Sequence, residues 1–147
     1  MNAEHRDLHS FPTRRSSDLA GVFGAVINSL TVVLFSHYGW AVAAGYKLQV
    51  NLSPPGIYEW IYRRLVWGGF WGLLFLTPFF RSMPPVRIVV FALAPSIFQL
   101  LVVFPYFVNK GFLGLELGAS TPLFVIGFNI VWALFAEIWL KIASQKW

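Results

Sequence analysis

Few side chains in this sequence could carry out chemistry, and Glu137 is the most informative of them. It interrupts an apolar run that extends from about residue 121 to residue 141, and it lies one helical turn before Lys141. A glutamate four residues before a lysine stabilises a helix, so the first interpretation is a local ion pair. The alternative is a proton- or cation-coupled site in which Glu137 pairs with Arg81 or Arg87 from another helix.

Four uncharged polar side chains also lie within apolar runs. They are Asn28, Ser96, Gln99 and Asn129. An amide surrounded by apolar groups would lack hydrogen-bond partners, so we expect these side chains to turn inward and to bond each other. The first interpretation of this polar cluster is structural hydrogen bonding. The alternative is a polar site for a small solute.

Two adjacent arginines follow a cluster of aromatic residues in the segment YEWIYRRLVW. Glu59 lies four residues before Arg63 and can pair with it, which leaves Arg64 without a local acid. A long arginine side chain can run along an apolar surface and place its charge in water, and this is the favoured interpretation of Arg64. The alternative is that Arg63 and Arg64 bind an anion such as the phosphate of a lipid headgroup.

Other reactive groups are scarce. The sequence has no cysteine, and beyond residue 19 it has no aspartate and a single histidine, His37. The carboxylates Glu59, Glu116 and Glu137 lie in different segments, and no two of them are placed to act on one substrate as acid and base. We therefore expect no catalytic residues, no metal site and no cofactor, and we expect the protein not to be an enzyme.

The segments that carry these residues are long and apolar. Charged residues make up 12% of the sequence, about half the share in soluble domains. Four runs are long enough to cross a bilayer as helices, and backbone polar groups in hydrocarbon require helical structure. The runs cover about residues 20–37, 60–80, 86–108 and 121–141. The sequence predicts an all-α polytopic membrane protein, a bundle of four transmembrane helices, with a kink at Pro95.

The residues before the first run need a different explanation. All fifteen residues of HRDLHSFPTRRSSDL (residues 5–19) can be back-translated in one frame into the adapter DNA used in short-read sequencing, so this stretch resembles translated adapter. We expect residues 1–19 to be an artefactual, disordered leader and residues 20–147 to form a single transmembrane domain. One alternative is a genuine basic leader. Another makes the first run a signal peptide, cleaved near AVAA (residues 41–44).

The basic residues indicate an orientation. Residues 1–19 carry three arginines and three acids, so the net charge of +5 belongs to the rest of the chain, where lysines and arginines lie at the ends of apolar runs. This arrangement predicts topology and not nucleic-acid binding. The 81–87 turn and the C-terminus are both basic, which predicts that both are cytoplasmic in a multi-pass protein of the inner (plasma) membrane.

Small residues recur four apart in the first two runs. Gly68 and Gly72 form one such pair with Gly69 between them, and Gly21 and Gly24 belong to similar pairs with nearby alanines. This spacing lets helices approach closely in lipid. The first interpretation is packing within the chain, and the alternative is a face for homo-oligomers.

Two functions fit these observations. We expect a structural or accessory membrane protein that packs with itself or with a membrane-protein partner through its glycine-rich faces. The alternative is an oligomeric transporter or channel subunit for a small solute or ion, with a lipid headgroup as another ligand of the polar residues. A transport role predicts that the polar residues converge on a hydrated cavity, whereas a packing role predicts that they are occluded and bonded to each other.

Overall fold

The structure, a computed structural model, describes residues 13–145, and this part of the chain is helical with no strand. The five α-helices are α1 (Arg14–His37), α2 (Trp40–Ala43), α3 (Gly56–Gly72), α4 (Pro84–Phe98) and α5 (Thr121–Gln145). A 3-10 turn, Leu73–Leu76, continues α3, and a π-helix, Gln99–Phe107, continues α4. Short 3-10 turns at Phe112–Leu117 precede α5. The all-α prediction is therefore confirmed for these residues.

Three helical segments are long and apolar enough to cross a membrane. They are Arg14–His37, Pro84–Phe107 and Thr121–Ser144. The second predicted run, 60–80, is not among them, because α3 has only 17 residues before it tightens into the 3-10 turn. That helix also carries three charged residues, Glu59, Arg63 and Arg64. Residues 13–145 thus contain three helices of membrane-spanning length and composition, and α3 is shorter and more polar.

Helix α1 begins earlier than predicted. Thr13 caps its first turn by accepting a hydrogen bond from the backbone N–H of Ser16 at 3.2 Å. Ser17 is fully buried, and its carbonyl lies against Gly72. The predicted disorder is therefore wrong for residues 14–19, because capping and packing hold them in the helix; residues 1–12 lie outside the described part of the chain. The resemblance to adapter DNA concerns the origin of the segment and stays a prediction.

Helix α1 is the central element, and it packs against both α3 and α5, while α4 packs against α5. Glycines make the closest of these contacts: Gly21 lies against the backbone of Gly68 and Gly72, and Gly24 lies against the backbone of Trp132. A side-chain carbon at these positions would collide with backbone atoms, so only glycine permits this spacing. Gly69 is looser and faces Val22.

The glycine contacts correct one expectation. Gly21, Gly24, Gly68 and Gly72 are all buried against other helices of the same chain. Their faces are therefore occupied, and they cannot also receive a second copy or a partner. The first interpretation, close packing within the chain, agrees with these contacts. A homo-oligomer built on some other face stays a prediction.

The irregularity in the third predicted run lies beyond Pro95. Helix α4 continues through Pro95 to Phe98, and the chain then widens into the π-helix. Pro105 lies inside that π-helix and has no N–H to donate. At its end the N–H of Val108 bonds the carbonyl of Val103 at 2.9 Å. Such π segments occur often at functional sites, and this one lines the cavity described next.

Candidate functional site

A partly open cavity of about 290 Å³ lies between α1, α3, α5 and α4 with its π-helix. It extends from the middle of the helices toward the loop between α2 and α3. Its polar lining consists of Asn28, Tyr46, Gln49, Arg63, Arg64, Gln99 and Asn129. Three of the four residues of the predicted polar cluster thus line a single cavity, and the fourth, Ser96, is bonded to one of them.

Arg64 connects α3 to α1 at the cavity wall. Its Nε donates to Ser29 Oγ at 2.9 Å, and its Nη2 donates to Asn28 Oδ1 at 3.0 Å. The guanidinium also lies 4.8 Å from the centre of the Trp60 ring. These contacts do not agree with the favoured interpretation, in which Arg64 extends outward to water, because two of its donors bond a hydroxyl and an amide of α1 and the residue is only partly exposed.

Within residues 13–145, no carboxylate forms an ion pair with Arg64. Among residues 13–145 the ion pairs join Arg63 to Glu59 and Arg87 to Glu137. Both hydrogen-bond partners of Arg64 are uncharged, so its positive charge is solvated by dipoles and by the cavity alone. A guanidinium stays charged at physiological pH, and the cavity therefore carries a fixed positive charge on its wall.

Arg63 has a different environment. It pairs with Glu59 at 3.8 Å, as the four-residue spacing predicts, and both side chains are about three-quarters exposed. Exposed pairs of this kind contribute little to stability. Arg63 reaches only the edge of the cavity lining, and its charge is already balanced by a neighbour on the same helix.

Two members of the polar cluster bond each other. Asn129 Nδ2 donates to Ser96 Oγ at 2.9 Å, and Ser96 in turn donates to the carbonyl of Ala92 at 2.7 Å. This contact joins α4 to α5, and it is the mutual bonding that a packing role predicts. Gln99 begins the π-helix and lines the cavity. Its position there fits the alternative, a polar site for a solute.

Tyr46 also lines the cavity, although nothing in the sequence indicated this residue. It lies in the loop after α2 and is 6% exposed. Burial raises the pKa of its hydroxyl, and the nearby positive charge of Arg64 opposes that shift. No charge pattern or spacing marks this residue in the sequence. Only the return of the loop over the ends of the helices brings it beside Arg64.

Glu137 lies near the opposite end of the helices and pairs with Arg87. Arg87 Nη1 is 3.1 Å from Glu137 Oε2, and Arg87 Nη2 donates to the carbonyl of Phe75 at 2.8 Å. The guanidinium also lies about 5 Å from the ring centres of Phe75 and Phe91. Both charged side chains are almost fully buried, and neither lines the cavity.

This pair replaces the first interpretation of Glu137. Lys141 is exposed, and the carboxylate bonds Arg87 of α4 instead of Lys141 on its own helix. The alternative had named Arg87 or Arg81 as the partner, and the structure brings Arg87 to it. Arg81 lies in the turn between Leu76 and α4. The proton- or cation-coupled role attached to that alternative stays a prediction.

The fold and the site together define a class of protein. Over residues 13–145 it is all-helical, it has three helices that could cross a membrane by length and composition, and it forms a partly open cavity lined by an arginine that no carboxylate of these residues pairs with. Within the same residues, no three histidine, aspartate or glutamate side chains come together as metal ligands would. No family model, no curated protein and no solved structure matches this chain.

Proposed function

We propose that the protein binds a small anionic solute in this cavity and acts as a transporter or channel subunit of the inner (plasma) membrane. The observation that carries the proposal is Arg64, a charged group with no carboxylate partner on the wall of a cavity that Asn28, Gln99 and Asn129 also line. Ionisable residues inside membrane proteins are costly and usually mark substrate or ion pathways. A bound anion would neutralise this one.

The proposal includes four membrane crossings. Helix α3 and the 3-10 turn after it form a continuous helical segment, Gly56–Leu76, and at 1.5 Å per residue its length is about 30 Å, the thickness of a bilayer core. Its contacts with α1 are antiparallel, because residue 21 meets residue 68 and residue 28 meets residue 64. With Arg81 and Lys141 on the cytoplasmic side, the cavity would lie toward the outer half.

The rival role, an accessory protein that packs through glycine faces, has less support. Four of the five glycines predicted for such a face are buried within the chain, so these four are not available to a partner. The Ser96–Asn129 bond fits packing, but Asn28, Gln99 and Asn129 line open volume instead of filling it. This convergence is the arrangement that a solute site requires.

The test is anion binding by the purified protein in lipid nanodiscs. Chloride, inorganic phosphate and benzoate serve as probes, and binding to the wild type is compared with binding to Arg64→Gln. The control is Lys47→Gln, which removes the same charge from an exposed residue outside the cavity. We expect Arg64→Gln to weaken binding of the preferred anion at least tenfold and Lys47→Gln to leave it unchanged. The proposal fails if no probe binds, or if both variants bind like the wild type.

A further inference from the structure

The cavity also indicates the class of its ligand, an inference that rests on the proposed function. The first criterion is charge. Arg64 supplies one positive charge without a carboxylate, while Arg63 is balanced by Glu59. A monoanion neutralises the wall of the cavity, whereas a dianion would carry a second negative charge that no unpaired cation of the lining balances.

The second criterion is the apolar lining. Phe98 packs between Trp67 and Trp71, with ring centres 5.6 and 5.8 Å away, and all three rings line the cavity. Phe104 and Phe128 contribute further rings to the lining. An inorganic ion would leave the surfaces of these rings exposed to water. A planar apolar body would cover them and gain aromatic contacts.

The third criterion is size and hydrogen bonding. The volume of about 290 Å³ lies at the lower end of the range for small-molecule sites, about 300–1,000 Å³, which favours a small ring with one acidic substituent over a larger ligand. Asn28 Oδ1 accepts from Arg64, so the Nδ2 of the same amide remains as a donor beside the guanidinium. A carboxylate, with two acceptor oxygens, matches this pair of donors.

We infer that the natural ligand is a soluble monocarboxylate with a planar, apolar body, held by Arg64 and Asn28 at its carboxylate and by the aromatic lining at its ring. Hydrogen bonds to charged groups contribute about 1.5–3 kcal/mol, which corresponds to roughly a tenfold to hundredfold gain in affinity. That gain should appear only for the charged form of a given shape.

Benzoate and benzamide test this inference, because they share a shape and differ in charge. Binding to wild-type nanodiscs is followed by tryptophan fluorescence, since Trp67, Trp71 and Trp132 line the cavity, with empty nanodiscs as the blank. We expect benzoate to bind at least tenfold more tightly than benzamide, inorganic phosphate or chloride. Arg64→Gln should lower the affinity for benzoate to the affinity for benzamide and leave the affinity for benzamide unchanged. If Arg64 had only a structural role, the substitution would lower both affinities.

The outcomes separate this inference from the proposed function. If phosphate or chloride binds more tightly than benzoate and depends on Arg64, the anion site stands and the ligand class is wrong. If decanoate binds more tightly than benzoate, the inference that the ligand has a planar body is wrong. Equal affinity for benzoate and benzamide would overturn the inference that the ligand is a carboxylate. If no anion binds, the proposed function and the inference fail together.

Discussion

Arg64 and Arg87 each contact a neighbouring helix, and their surroundings differ in kind. Arg87 meets the carboxylate of Glu137, a backbone carbonyl and two aromatic rings, and it is 4% exposed. Arg64 meets one hydroxyl, one amide and one ring, and it lines a cavity. The first charge is neutralised within the chain, and the second is not.

This difference separates a structural charge from one available to a ligand. In a buried ion pair each charge already has its counterion, so the pair is closed to a charged ligand. Removal of one partner leaves the other charge buried without a counterion, which is destabilising. A guanidinium held by neutral dipoles keeps its affinity for an anion. The same residue type therefore fixes α4 against α5 near one end of the helices and, in the proposed function, selects a ligand near the other.

The largest predicted effect comes from opening the closed pair. Glu137→Gln leaves Arg87 charged and without its counterion, so we expect the free energy of unfolding in detergent micelles to fall by about 3–5 kcal/mol. The double variant Arg87→Met/Glu137→Leu removes both charges and should recover most of that loss. Benzoate affinity of the folded fraction should not change, because the pair does not line the cavity. A loss below about 1 kcal/mol would show that the pair is not closed.

The next effect tests the helix contact on which the position of Arg64 depends. Gly21→Ala places a methyl group against the backbone of Gly68, and overpacking of this kind costs about 1–3 kcal/mol. Gly127→Ala is the matched control, since a side chain there meets nothing within 4 Å, and alanine favours a helix over glycine by about 1 kcal/mol. The midpoint of thermal unfolding should fall for Gly21→Ala and rise for Gly127→Ala. Equal shifts would mean that α1 and α3 do not pack closely.

The sequence predicts the apolar helices well and their mutual register poorly. The fourth run, expected over 121–141, is the helix Thr121–Gln145, because a continuous apolar run with a proline in its first turn defines that helix locally. The bond between Arg64 and Asn28 joins residues 36 apart. It depends on how far α3 slides along α1, which the glycine contacts determine only once the helices are packed.

The sequence also left the partners of its charged residues open. Glu137 had a lysine one turn away and two arginines elsewhere as candidates, and local spacing favoured the lysine. Burial decided otherwise, because a carboxylate enclosed by α4 and α5 needs a counterion that is enclosed with it. Tyr46 carries no pattern at all, and only the path of the loop after α2 brings it to the cavity.

A smaller effect should follow from removing the open charge. Arg64→Met deletes two hydrogen bonds of a charged group, each worth about 1.5–3 kcal/mol, but it also removes the cost of several kcal/mol of burying a charge without a counterion, so the net change in unfolding free energy should stay near 1 kcal/mol. The comparison with Glu137→Gln is direct when both are measured under the same denaturing conditions. If the two losses are equal, Arg64 is as fully paired as Arg87, and the contrast between the two sites disappears.

The smallest effect concerns the neutral contact between α4 and α5. Asn129→Ala removes the hydrogen bond to Ser96, and such interhelical bonds average about 0.6 kcal/mol in membrane proteins. Ser96→Ala and the double variant complete a cycle, and the coupling energy between the two residues should be of that size. Because Asn129 also lines the cavity, its loss should weaken benzoate less than Arg64→Gln does. A coupling well above 1 kcal/mol would place this neutral contact above the effect expected for Arg64→Met and would contradict the proposed order of effects.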